Sequence, residues 1–160
     1  QTVINLSPIA DGIAYSIQAA DYLITNENEA RAVLGVQESN VTELAKMLKA
    51  QGAKNVIVTL GSEGVYGIDH SGNEYSVERV PVEIENTIGA GDTFLAVFTS
   101  ALNLGSSFLD AMRVANYAAA KVCTKQESFL SPTDMEEIAL QFSIDLPKRK
   151  ITQGTEHFND

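Results

Sequence analysis

Gly89-Ala90-Gly91-Asp92-Thr93 stands directly before an apolar run that contains Phe94, Leu95, Val97, Phe98, Ala101 and Leu102. The spacing of that run predicts a helix. Glycines let the backbone turn sharply and present bare N–H groups. The helix N-terminus adds roughly half a positive charge. A junction of this kind holds an anion, and it counts most for charge that develops in a water-poor transition state. Asp92 is of a type that accepts a proton from an attacking hydroxyl. The structural alternative is that Asp92 caps the helix and the glycines only form its loop.

Two further segments have chemical potential. In Asn26-Glu27-Asn28-Glu29 the Asn and the second Glu fall on one face of a first helical turn. That Glu could orient a hydrated Mg²⁺, which keeps several waters and takes one or two carboxylates. The Asn could bond a phosphate oxygen or such a water. The alternative is a capping box, which uses the same spacing. Thr59-Leu60-Gly61-Ser62-Glu63-Gly64 follows the strongest strand signal, Asn55 to Leu60. Ligands in open α/β sheets gather beyond the carboxyl ends of strands, so Thr59, Gly61, Ser62 and Gly64 could line a nucleotide. The alternative is a plain turn. His70 and His157 stand apart from any metal-ligand cluster and are expected in solvent. Cys123, the only cysteine, cannot form an intramolecular disulfide and is expected to pack as a small apolar residue.

The elements that must position these residues follow from periodicity. Strands are expected at Val3–Leu6, Tyr22–Thr25 and Asn55–Leu60, with a hairpin from Val65–Asp69 and Glu74–Val80. Helices are expected from about Asp11 to Ala20, from Asn26 to Gly35, from Asn40 to Gly52, after the glycine segment, from Phe108 to Val122, and from Ser131-Pro132 onward. Strands alternating with helices predict an α/β fold with a largely parallel sheet. The 160 residues carry 11 basic and 21 acidic side chains, a net charge of −10. That balance argues against nucleic acid, whose phosphates require a basic surface. No apolar run is long enough to cross a membrane. Absence of a signal peptide and a single cysteine fit a cytoplasmic setting.

Taken together and in order, these segments resemble the ribokinase-like, or PfkB, carbohydrate kinases. Asn86-Thr87-Ile88-Gly89-Ala90-Gly91-Asp92-Thr93-Phe94 is similar to that family's C-terminal signature, Thr25 to Ala30 to its Asn-x-x-Glu segment, and Val58 to Gly64 to its nucleotide-edge strand and loop. The resemblance covers about residues 2 to 140. It implies a three-layer α/β/α, Rossmann-like sheet, with residues 1–145 forming the C-terminal, ATP-side part of a kinase domain and 146–160 a polar tail. It implies transfer of the γ-phosphoryl of ATP to a sugar hydroxyl, or to a nucleoside or vitamin. Asp92 would be the base, and the N–H groups of Gly89, Ala90, Gly91 and Asp92 the anion hole. Glu29 would hold Mg²⁺ through water and Asn26 would lie near the phosphates. Thr59, Gly61, Ser62 and Gly64 would border the nucleotide, and Asn116 the adenine.

The resemblance also implies a monovalent cation, K⁺, at Asn86 and Ile88 together with a later, usually Gly-containing segment. Two departures stand against it: Asn86 replaces the frequent Asp, and Lys125-Gln126-Glu127-Ser128-Phe129 has no Gly. The sugar-binding residues, Gly-Gly motif and lid of the family's N-terminal half have no counterpart here. The chain therefore reads as a part of a longer kinase, a homodimer in the family's manner when whole, with little or no activity from this part alone. A non-catalytic nucleotide-binding or interaction module of the same fold is the alternative.

Overall fold

The computed structural model describes residues 1–6 and 17–144. Most of the helix expected over 11–20, the polar tail and His157 lie outside these residues. The last part of that expected helix is a 3-10 turn, Ile17–Ala19.

Five strands form one sheet in the order β1 (Val3–Asn5), β2 (Tyr22–Asn26), β3 (Asn55–Thr59), β4 (Gly64–Ile68) and β5 (Glu74–Glu78). β1, β2 and β3 run parallel; β3–β4 and β4–β5 are antiparallel. The sheet is thus evenly mixed rather than largely parallel. The reason is connection length. A parallel pairing needs a crossover of a dozen or more residues. Only 60–63 separate β3 from β4, and only 69–73 separate β4 from β5. Both links force reversal.

Side-chain alternation along the strands divides the core between two faces. Leu23, Val56, Val58, Tyr66 and Ile68 face one layer, made by α1 (Glu27–Leu34) and α2 (Val41–Ala50) through Ala30, Leu44, Ala45 and Leu48. Ile24, Ile57 and Val65 face the other, made by α3 (Ala90–Asn103), α4 (Phe108–Cys123) and α5 (Pro132–Gln141). The result is the expected three-layer α/β/α arrangement. β3 is buried on both faces, as its nearly unbroken apolar run demands.

Helix boundaries follow their local signals. Asn26 caps α1 and Gly35 ends it at φ 68°. Asn40 caps α2 through a reciprocal pair with Glu43. Ser131 caps α5, with Pro132 in its first turn. One boundary differs. α3 does not begin after the glycine segment but inside it, so Ala90, Gly91 and Asp92 are its first three residues.

Candidate active site

The carboxyl ends of β2 and β3 lie side by side, with Asn26 opposite Thr59 in the parallel register. The Thr59 hydroxyl donates to the Thr25 carbonyl at 3.3 Å, joining the two ends. Asn26 Oδ1 accepts the Glu29 N–H at 2.9 Å. Glu29 Oε2 accepts the Asn26 N–H at 3.0 Å and the Thr25 hydroxyl at 3.3 Å. The capping-box alternative is therefore present. It engages one oxygen of each side chain's polar group; Glu29 Oε1 and Asn26 Nδ2 have no partner among the described residues.

Beyond β3 the chain makes a 3-10 turn at Gly61–Glu63 and re-enters the sheet at Gly64, closed by a 2.9 Å bond from the Leu60 N–H to the Gly64 carbonyl. This is the plain turn of the alternative reading. Its exposed side nevertheless forms one wall of a cleft of about 360 Å³. Thr59, Gly61, Ser62 and Gly64 make that wall, Ala90 and Gly91 a second, and Asn116 a third. Seven sequence-predicted site residues thus converge on one space. Gly89, Asp92, Asn26, Glu29, Asn86 and Ile88 are not among its lining residues.

Sequence reasoning missed the rest of the lining. Val80, Pro81, Val82 and Ile84 supply an apolar side, and Arg79 is the only charged lining residue among the described residues. Ala119, Ala120 and Cys123 form the α4 side. The run of alanines read from sequence as a close-packing face divides its tasks. Ala115 and Ala118 are fully buried against the sheet, while Ala119 and Ala120 keep the cleft open by being small. Asn116 is buried, and its Nδ2 donates to the Glu78 carbonyl at 2.9 Å, tying α4 to the end of β5. Cys123 is buried as expected, and burial raises its thiol pKa. His70 is exposed. A larger groove of about 700 Å³ runs along α1 and the loop after it, but none of the residues expected to bind substrate, nucleotide or metal lines it.

At the start of α3, Gly89 occupies the cap position at φ 84°, with no side-chain cap. Asp92 does not cap the helix. Its side chain is exposed and has no hydrogen bond or ion pair among the described residues. The N–H groups of Gly89, Gly91 and Asp92 have no backbone acceptor among the described residues, and that of Ala90 has one long bond, 3.3 Å to the Thr87 carbonyl. These are the unpaired donors that a helix start leaves available. The turn is braced from behind. A Cβ on Gly89 would lie 2.3 Å from the Ser128 carbonyl oxygen, so only glycine lets the two segments meet. Among the described residues no three Asp, Glu, His or Cys side chains cluster to hold a metal. No helix of the described residues is long and apolar enough to cross a membrane.

The chain has relatives among known proteins. Residues 3–134 match the pfkB family carbohydrate kinase profile. A ribokinase of Staphylococcus aureus is 29% identical over 141 residues, which are 86% of this chain and 46% of that protein. The crystal structure of ribokinase from Thermotoga maritima superposes with a TM-score of 0.77 at 26% identity, over 86% of this chain and 48% of that one. Phosphofructokinase-2 from Escherichia coli, crystallised in complex with potassium, superposes with a TM-score of 0.67 at 28% identity, over 76% of this chain and 41% of that one. The chain spans about half the length of the curated relatives it matches. With two thirds or more of its residues aligned to sugar kinases and its fold theirs, the chain belongs to the pfkB family of carbohydrate kinases.

Proposed function

We propose that this chain is the nucleotide side of an enzyme that transfers the γ-phosphoryl group of ATP to a hydroxyl of a sugar. The observation that carries the reading is the first turn of α3, where backbone N–H groups and a carboxylate that have no partner among the described residues share one short segment beside the cleft. In the proposed step the sugar hydroxyl oxygen forms a bond to the γ-phosphorus and the bond to the bridging oxygen of ADP breaks. Asp92 takes the hydroxyl proton. A carboxylate positioned in line with the hydroxyl is a group of the type that meets that need. The amides of Gly89 to Asp92 face the charge on the transferring group, and at a helix start they need no reorganisation to do so. Positioning and charge stabilisation are most of what phosphoryl transfer asks of a protein.

The nucleotide would lie in the 360 Å³ cleft, its base against Val82, Ile84 and Ala119 and beside Asn116. Mg²⁺, when bound with ATP, supplies charge neutralisation on the phosphates. The donor set suits it: Glu29 presents one carboxylate oxygen not used by its capping box, fitting an ion that keeps most of its waters. Asn26 Nδ2, which has no partner among the described residues, would donate to a phosphate oxygen.

The test is Asp92→Asn in the whole protein, assayed for ADP release against pentoses, hexoses and nucleosides. Turnover is expected to fall about 10²–10⁴-fold, with nucleotide affinity and the unfolding midpoint little changed. Unchanged turnover would remove Asp92 from the reaction. Nucleotide binding without turnover by the unmodified protein would favour the binding-module reading.

A further inference from the structure

We infer that the Asn86 side-chain amide takes the place of a monovalent cation beside the α3 start, so that the protein needs no K⁺. The inference rests on the phosphotransferase reading above for its activity arm only. A cation site needs oxygen lone pairs aimed at one point. Asn86 Oδ1 already accepts the Ile88 N–H at 2.9 Å. A backbone N–H can only donate, so this bond fixes which end of the amide is oxygen. The other end, Nδ2, then faces the Gln126 carbonyl and donates to it at 3.3 Å.

A cation placed between Asn86 and Gln126 would meet the positive end of the amide dipole where an oxygen should be. The side chain is also neutral, so it offers no charge to offset a K⁺. These residues do not fit the ion that the resemblance implies at Asn86 and Ile88.

The segment is closed without it. The N–H groups of Glu85 and Asn86 both reach the Cys123 carbonyl, at 2.8 and 3.2 Å. Gly89 packs on the Ser128 carbonyl. The amide bridge from Asn86 to Gln126 therefore spans the same two segments, 86–89 and 125–129, and braces the first turn of α3 from the protein's own groups.

The experiment compares the whole protein in potassium, sodium and tetramethylammonium chloride at equal ionic strength, by thermal unfolding and by sugar-dependent ADP release. The unmodified protein is expected to show one Tm in all three salts and turnover within about twofold. Asn86→Asp should gain a K⁺-specific rise in Tm, because an ion that binds only the native state stabilises it, and turnover that climbs with K⁺. A K⁺-specific Tm rise or a tenfold K⁺ activation in the unmodified protein overturns the inference, whether or not the variant folds. An Asn86→Asp protein indifferent to K⁺ overturns the assignment to Asn86. If no salt supports turnover, the phosphotransferase reading fails, and the Tm comparison still decides the cation question.

Discussion

Gly89 and Gly91 stand two positions apart and are glycine for different reasons. Gly89 has positive φ and backs onto a carbonyl oxygen 2.3 Å from where its Cβ would be. Gly91 has ordinary helical backbone and open space around its would-be Cβ, and it lines the cleft. Gly89→Ala is expected to lower stability by about 1–3 kcal/mol through backbone strain, read from the urea midpoint, and to reduce turnover with it. Gly91→Ala should leave the midpoint unchanged or higher, since Ala favours a helix, yet weaken ATP binding by placing a methyl group against the phosphate. Equal loss of stability in both variants would contradict this division. Both glycines were legible in the sequence as a turn before a helix. That one serves the packing and the other the opening was not, because Ser128 is a neighbour only in space.

Among the elements, α4 and α5 are joined by charge. Asp134 opens α5, where Ser131 donates to it from both its N–H, at 2.8 Å, and its hydroxyl, at 2.6 Å. Lys125 reaches the same carboxylate at 2.8 Å and Lys121 at 3.6 Å. Lys121 also pairs with Glu137, the main cause of its raised pKa. Burial alone would raise the Asp134 pKa, but the bonds from Lys125 and Ser131 together hold it well below the usual carboxylate range. A carboxylate with a depressed folded pKa stabilises above its unfolded value, about 3.9, and loses that contribution as pH falls through the folded value. Asp134→Asn should therefore lower Tm at pH 7, and its gap to the unmodified protein should narrow progressively below about pH 4. A gap that widens in acid would contradict the pairing. The Ser-Pro-x-Asp start of α5 was readable from sequence because capping spans three residues. The lysines were not, because Lys121 lies on α4 and Lys125 just beyond its end, neighbours of Asp134 only in space.

At the scale of the molecule, one sheet with helices on both faces sets where everything else stands. Phe98 is fully buried on the α3 side and contacts Tyr22, Phe94 and Phe108 through its ring. Phe98→Ala should cost about 3–5 kcal/mol, measured by urea unfolding. It should also loosen α3, and with it the amides at its start. The alternation of strands and helices and the caps at Asn26, Asn40 and Ser131 were determined by the sequence alone. These are local: hydrophobic period and hydrogen bonds over three or four residues contain all the information needed. So was the order of the three candidate segments, which suffices for family membership. The antiparallel β4–β5 hairpin was read from sequence, while the antiparallel β3–β4 pairing was written in its short link but outweighed by the alternation. The tertiary structure decided the rest. It brought Thr59, Gly91 and Asn116 to one cleft, gave Asn116 a carbonyl partner on β5, and turned the Asn86 amide toward Gln126. Contacts between residues tens of positions apart depend on how layers stack, and no local periodicity encodes that.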